Sequence, residues 1–283
     1  MQRFLMIIMA AVMLLPSLII NHTEAAAAKG KILVVASSKN KMELADKSIM
    51  DVGFFLNEFA VPTQYLYSQG YEIVLATPSG KMAEMDKSSN NKKFFGGDEA
   101  ARASAEAFVN NLQPISLKAA IDGGLDQYAG VFVPGGHAPM TDLMQDENLG
   151  TILRYFHEQN KPTGFICHGP VAALAALPNA AAYRAALVNN DVKGAMENAK
   201  GWIYAGYSMT VLSDAEEWPG EVGKGAQMPF HVEQALQIAG GKMIVEGMFG
   251  SHVVRDRELI TGQNPASDIA LAKEFDKALQ EKR

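Results

Sequence analysis

The 283-residue chain has a single cysteine, Cys167, and so forms no internal disulfide. It has no CxxC pair, no HExxH and no grouping of cysteines with histidines, which leaves a structural zinc site without the usual ligand spacing. Neither G-x-G-x-x-G nor G-x-x-x-x-G-K-[S/T] stands at any strand-to-helix turn, so a nucleotide cofactor has no support. Basic charge is also scarce. The 25 Lys and Arg against 31 Asp and Glu give a formal net charge of −6, which removes the electrostatic footprint of a nucleic-acid binder. Charged residues make up 20% of the chain and hydrophobic ones 48%, a balance that suits a well-cored globular protein rather than a disordered one.

Residues Met1 to Ala28 read as a secretory signal. Arg3 supplies a short basic start, Phe4 to Leu15 an apolar core, and Ala25 to Ala28 a small-residue cleavage site. The apolar stretch runs on to Ile20 but is broken by Pro16 and Ser17, which makes it marginal for a spanning helix. Export is therefore expected, to the periplasm in a Gram-negative source, with no membrane attachment after cleavage. Residues 29–283 remain as the mature protein and are read as one domain. A free thiol is a liability in an oxidising compartment, so keeping one there favours a functional reason.

The cysteine stands in Gly164-Phe165-Ile166-Cys167-His168-Gly169-Pro170, followed by the Ala/Leu-rich Val171 to Leu177. That order reads as strand, abrupt turn, helix. A thiol at such a corner lies near a helix N-terminus, where the dipole and free N–H groups favour the thiolate. The alternative is a buried cysteine serving as a small hydrophobe. The strand–turn–helix setting favours a nucleophile.

Other segments fall into the same rhythm. Lys31 to Ser37, Tyr71 to Pro78 and Gly130 to His137 are short apolar runs that predict buried strands. Asn40 to Met50 is polar and predicts loop. Val52 to Tyr67 carries apolar residues at helical spacing, with Gly70 as the stop. Glu58 there sits among Phe54, Phe55, Leu56 and Phe59; if buried, desolvation raises its pKa, and if not, it is an ordinary solvated helix residue. Asp98 to Leu112, Leu149 to Gln159, Met228 to Ile238 and Asp268 to Leu279 predict helices. Ser208 to Ser213 and Met243 to Gly247 predict strands, the first ending in the acidic run Asp214 to Glu217. Strands alternating with helices predict an α/β fold with a mostly parallel sheet and helices on both faces. Sites in such folds form at the carboxyl ends of strands, where Ser37, Gly135-Gly136, Cys167 and Asp214 to Glu217 all fall.

These stretches together resemble the ThiJ/PfpI superfamily, relatives of the class I glutamine amidotransferase fold. The resemblance runs through Gly53 to Glu58, Val131 to His137, Phe165 to Pro170, Ser213 to Glu217 and Leu259 to Ser267. Within the superfamily it is nearest to heat-shock chaperones with glutathione-independent glyoxalase (glyoxalase III) activity, although the chain departs from mostly cytosolic relatives in carrying an export signal. The resemblance implies a flavodoxin-like three-layer sandwich and Cys167 as nucleophile. Glu58 would hydrogen-bond its sulfur and shuttle protons. His168 would be the triad base, with Glu217 as its acid and Glu216 in reserve. Gly136 and His168 would give oxyanion N–H groups, with Gly135, His137 and Asn264 beside the substrate. It implies no metal and no cofactor, a small carbonyl compound as partner, and a homodimer.

Three functions follow from that resemblance as expectations. The first is a glyoxalase that turns methylglyoxal or a related 2-oxoaldehyde into a 2-hydroxy acid through a Cys167 hemithioacetal, of the D-lactate dehydratase type. The second is a cysteine hydrolase or deglycase using the Cys167–His168–Glu217 triad. The third is a stress-related holdase, for which the 15 methionines could supply an adaptable apolar surface.

Overall fold

A computed structural model describes residues 29–282; the expected signal segment lies outside the described residues. The main sheet has seven strands, numbered here along the chain: β1 Lys31–Val35, β2 Glu72–Thr77, β3 Ile115–Ser116, β4 Tyr128–Val133, β5 Thr163–Ile166, β6 Val253–Asp256 and β7 Leu259–Gly262. Their spatial order is β6-β7-β5-β4-β1-β2-β3. Every pairing is parallel except β6 with β7, a hairpin turned at Arg257 with φ 58°. Ile32 to Val35, Val131 to Val133 and Thr163 to Ile166 are buried throughout, because helices cover both faces of a parallel sheet. This is the flavodoxin-like α/β arrangement. Its strand order reverses between β1 and β4, which opens a crevice at their carboxyl ends.

On one face the Leu56–Ser68 helix packs against the closing helix Asp268–Glu281. Phe275 of the closing helix reaches the sheet over Gly130 and Gly164, where a Cβ would stand 2.8 and 2.9 Å from its ring. The two strand glycines make the space that this ring fills. On the other face lie the Glu147–Glu158 helix and the turn of helix after Cys167. Among the described residues no helix is long and apolar enough to cross a membrane.

Several local expectations change. The segment after Cys167, Gly169–Ala176, is a 3-10 helix rather than an α-helix. All eight of its residues are buried, so no polar face marks a period. The Ser208–Ser213 strand shrinks to Ser208–Met209, which pairs in parallel with Lys242–Met243 outside the main sheet. Thr210 to Ser213 is instead extended chain, tied down by Thr210 N–H to Thr261 Oγ1 and Leu212 N–H to the Cys167 carbonyl. The acidic run is not a turn at a strand end but the first turn of the Asp214–Lys224 helix. Ser213 caps it, with its side chain on Glu216 N–H and the Glu216 carboxylate on Ser213 N–H. Within the expected loop 40–50, Lys41–Glu43 pairs with Ile49–Asp51 as a short antiparallel ribbon.

Candidate active site

Cys167 follows β5 directly and has φ 59°, a left-handed conformation that a non-glycine residue adopts at a cost of about 1–2 kcal/mol. Two backbone bonds hold it there: Cys167 N–H to the Gly262 carbonyl (2.9 Å) and Leu212 N–H to the Cys167 carbonyl (3.0 Å). The strained corner is thus fixed from β7 on one side and from the Thr210–Ser213 segment on the other.

Its sulfur has two neighbours of different character. On one side His168 Nδ1 lies 3.3 Å from Sγ, and His168 Nε2 lies 2.6 Å from Glu217 Oε2. The other oxygen, Glu217 Oε1, takes His137 Nε2 at 3.1 Å, and the two imidazoles stand 4.1 Å apart, centroid to centroid. Burial works against charge on Glu217, but His168 and His137 outweigh it and hold the carboxyl well below the usual carboxylate range. Glu216, one residue earlier, points elsewhere. It accepts from Ser213, Gln263, Asn264 and the Phe249 N–H, and so ties the helix start to the loops around it.

On the other side stands Glu58, wholly buried in the first turn of the Leu56–Ser68 helix. Neither of its oxygens has a hydrogen-bond partner of ordinary geometry, although the Cys167 thiol and the Gly136 N–H stand near. Burial pushes its pKa up to about 8, and the neighbouring Cys167 thiol and Gly136 N–H only partly offset this. The same burial pushes the Cys167 thiol well above its ordinary value, helped by the Glu58 carboxylate and then by Glu217. The expectation that the elbow favours the thiolate is corrected here: desolvation and two acids outweigh the Gly136 N–H. Two negative charges side by side in so buried a place are costly, so a proton stays between Glu58 and Cys167.

The Gly135-Gly136 turn at the end of β4 makes this meeting possible. A Cβ on Gly135 would stand 2.3 Å from Glu58 Oε2 and 2.7 Å from Cys167 Cβ. Gly136 has φ 87°, and a Cβ there would strike the Gly53 carbonyl at 2.1 Å. Phe55 N–H bonds the Gly135 carbonyl (3.1 Å), which fastens the start of the Glu58 helix to the turn. The Gly136 N–H favours charge on both Glu58 and Cys167.

The structure therefore brings Glu58, Gly135, Gly136, His137, Cys167, His168 and Glu217 together. Ser37 stays apart, bonded through Oγ to Asp142 Oδ1 at 2.6 Å. Asn264, expected beside the substrate, is bonded to neighbouring loops. It is buried, its amide donates to Glu216 Oε1 and the Gly250 carbonyl (both 2.7 Å), and its Oδ1 caps the Pro265–Ser267 turn through Ala266 N–H. Those bonds use both amide hydrogens and the side-chain oxygen. The shared use of Glu217 by two histidines was not legible, since His137 and Glu217 are 80 residues apart. The capping of the Asp214 helix was: Ser213-x-x-Glu216 is a local start signal. Among the described residues, His137, His168 and Glu217 also form a group able to hold a metal ion.

Comparison with known proteins bears on the family and the fold. The model of the DJ-1/PfpI family matches residues 48–278. Protein/nucleic acid deglycase HchA of Pseudomonas aeruginosa (strain UCBPP-PA14) is 25% identical over 258 residues, covering 89% of this chain and 81% of the relative. The protein of the same name from Escherichia coli O1:K1 / APEC is 26% identical over 256 residues, covering 87% and 79%. The crystal structure of glyoxalase III from Candida albicans superposes with a TM-score of 0.61 at 22% identity, covering 88% of this chain and 97% of that one, a likeness of fold.

Proposed function

We propose, from the premise that the chain belongs to the DJ-1/PfpI family, that it is a cofactor-independent glyoxalase that converts methylglyoxal or a related 2-oxoaldehyde to a 2-hydroxy acid. The observation that carries this reading is the placing of Cys167 between a His168–Glu217 pair and a buried Glu58 whose pKa is near 8. A carboxyl poised there can both take and return a proton near neutral pH.

In the proposed reaction the thiol adds to the aldehyde carbon, C1, as its proton passes to His168 Nδ1. Glu217 stabilises the imidazolium, and the Gly136 N–H faces the developing oxyanion. The oxyanion takes the proton back from His168, giving a hemithioacetal. Ionised Glu58 then removes the C1 hydrogen as a proton, forming an enediol, and returns a proton to C2. The net change moves one proton from C1 to C2 and one from the C1 hydroxyl to the C2 oxygen. The product is a 2-hydroxy thioester. Water activated by His168 cleaves it, releasing the 2-hydroxy acid and restoring the thiol. With a pKa of about 8, about one Glu58 in ten is ionised at pH 7, enough to act while remaining a strong base. The buried site suits a substrate of a few atoms: Cys167 is only 4% exposed.

The test is lactate formation from methylglyoxal by wild type, Cys167→Ala and Glu58→Gln proteins. Both variants are expected to lose turnover while staying folded; turnover retained by Cys167→Ala would sink the reading. A second reading, deglycation, is supported by the names of the curated relatives. It is favoured if amine is released from a preformed methylglyoxal–lysine adduct even when a scavenger removes all free methylglyoxal.

A further inference from the structure

We propose that His137, His168 and Glu217 form a binding site for a divalent transition-metal ion of the Zn2+ kind, and that an ion bound there switches the thiol chemistry off. The second half rests on His168 acting as the base; the first half does not. The ligand atoms of these three side chains all lie within 4.8 Å of one another. Two imidazoles and a carboxylate are a donor set that zinc accepts while leaving a fourth position open. Ligand atoms about 2.0–2.1 Å from a tetrahedral ion stand roughly 3.3 Å from each other. Here His137 Nε2 stands 3.1 Å from Glu217 Oε1 and His168 Nε2 stands 2.6 Å from Glu217 Oε2, so an ion between the rings would draw both onto one carboxylate.

The surroundings favour capture. Glu217 is buried, and its two oxygens face the two rings from one carboxylate. His168 is buried as well, while His137 is partly open and forms the side by which an ion enters. The ion would take over what protons now do, joining the two Nε2 atoms to one carboxylate. Imidazole and carboxylate donors together select zinc, copper or cobalt over magnesium or calcium.

The effect on the thiol follows from the ring. An imidazole that ligates through Nε2 carries its proton on Nδ1. In His168 that nitrogen faces Cys167 Sγ at 3.3 Å. A metal-bound His168 therefore donates to sulfur and has no lone pair left to accept the thiol proton. The ion also withdraws Glu217 from orienting the base. Cys167 is not a ligand, since its sulfur stands at the other ring nitrogen.

The test uses metal-free protein titrated with Co2+, whose visible absorption reports coordination without reference to activity. One Co2+ per chain is expected, displaced by Zn2+, in wild type and equally in Cys167→Ala. Affinity should fall by at least an order of magnitude in Glu217→Gln and His137→Gln, each checked for folding by circular dichroism. Absence of stoichiometric binding, loss of binding in Cys167→Ala, or full binding in the other two variants would overturn the site. Zn2+ should abolish methylglyoxal turnover, with recovery on EDTA, while Mg2+ at the same concentration leaves it unchanged. Turnover that persists in zinc-loaded protein overturns the switch. A metal-free protein without turnover would count against the glyoxalase reading, and the Co2+ titration would still decide the site.

Discussion

His168 Nε2 lies 2.6 Å from Glu217 Oε2, and both side chains are buried. This pair fixes the ring so that its other nitrogen meets the Cys167 sulfur. Glu217→Gln removes the charge that stabilises the imidazolium, and turnover should fall by about 10²–10⁴-fold. Glu216→Gln should act differently. Its carboxylate accepts from Ser213, Gln263, Asn264 and Phe249, so the change costs about 1–3 kcal/mol of stability and leaves most of the turnover. Parallel kinetics and thermal melts of the two variants separate the acid of the triad from its neighbour.

The raised Glu58 pKa gives two pH signatures of opposite sign. Between the ordinary value of 4.5 and about 8 the folded chain keeps a proton that the unfolded chain has released. The contribution to stability is full below 4.5 and is lost as pH rises to and through about 8, with a slope of up to about 1.4 kcal/mol per pH unit. Melting temperature should therefore fall across that window in wild type and fall less in Glu58→Gln. Turnover should rise over the same window, because the ionised carboxyl is the base. A wild-type melting profile that matches Glu58→Gln would contradict the raised pKa.

Gly135 is the point where Glu58 and Cys167 meet. Gly135→Ala puts a methyl 2.3 Å from the Glu58 carboxylate and 2.7 Å from Cys167 Cβ, so the carboxylate must retreat. The expected cost is about 1–3 kcal/mol from overpacking, together with a large fall in turnover. Gly223→Ala is the contrasting case. It lies in the Asp214–Lys224 helix with nothing within 4 Å of an added Cβ, and should stabilise by about 0.5–1 kcal/mol without touching kcat.

Asn264 is expected to act on folding rather than on substrate. Asn264→Ala removes a turn cap and two buried hydrogen bonds, at a cost of about 1–3 kcal/mol. KM for methylglyoxal should stay largely unchanged, which steady-state kinetics can check below the lowered melting temperature.

The central strands were legible in the sequence because burial on both faces leaves continuous apolar runs such as Ile32 to Val35. The same property hid other features. Met209 to Leu212 is as buried as a strand, yet only Ser208–Met209 pairs, because burial does not name a ladder partner. Gly169–Ala176 is buried all round, so no period distinguished a 3-10 from an α-helix. Within the site, Cys167 and the Gly-Gly turn stood out by local chemistry. The state of the thiol did not, since Glu58 and Glu217 reach it from 109 and 50 residues away in sequence and desolvation depends on the whole fold. Asn264 carried the polar look of a ligand residue, but its partners, Glu216 and Gly250, come from other segments.

The most direct test of the account is peptide mass spectrometry of acid-quenched reactions with methylglyoxal, run beside a lactate assay in wild type and Glu58→Gln. The proposed mechanism predicts an adduct of one substrate mass on the Cys167 peptide in both proteins. In Glu58→Gln it should accumulate without lactate, because the proton between the two carbons cannot move. Lactate formed by Glu58→Gln at the wild-type rate, or wild-type turnover with no adduct at Cys167, would contradict it.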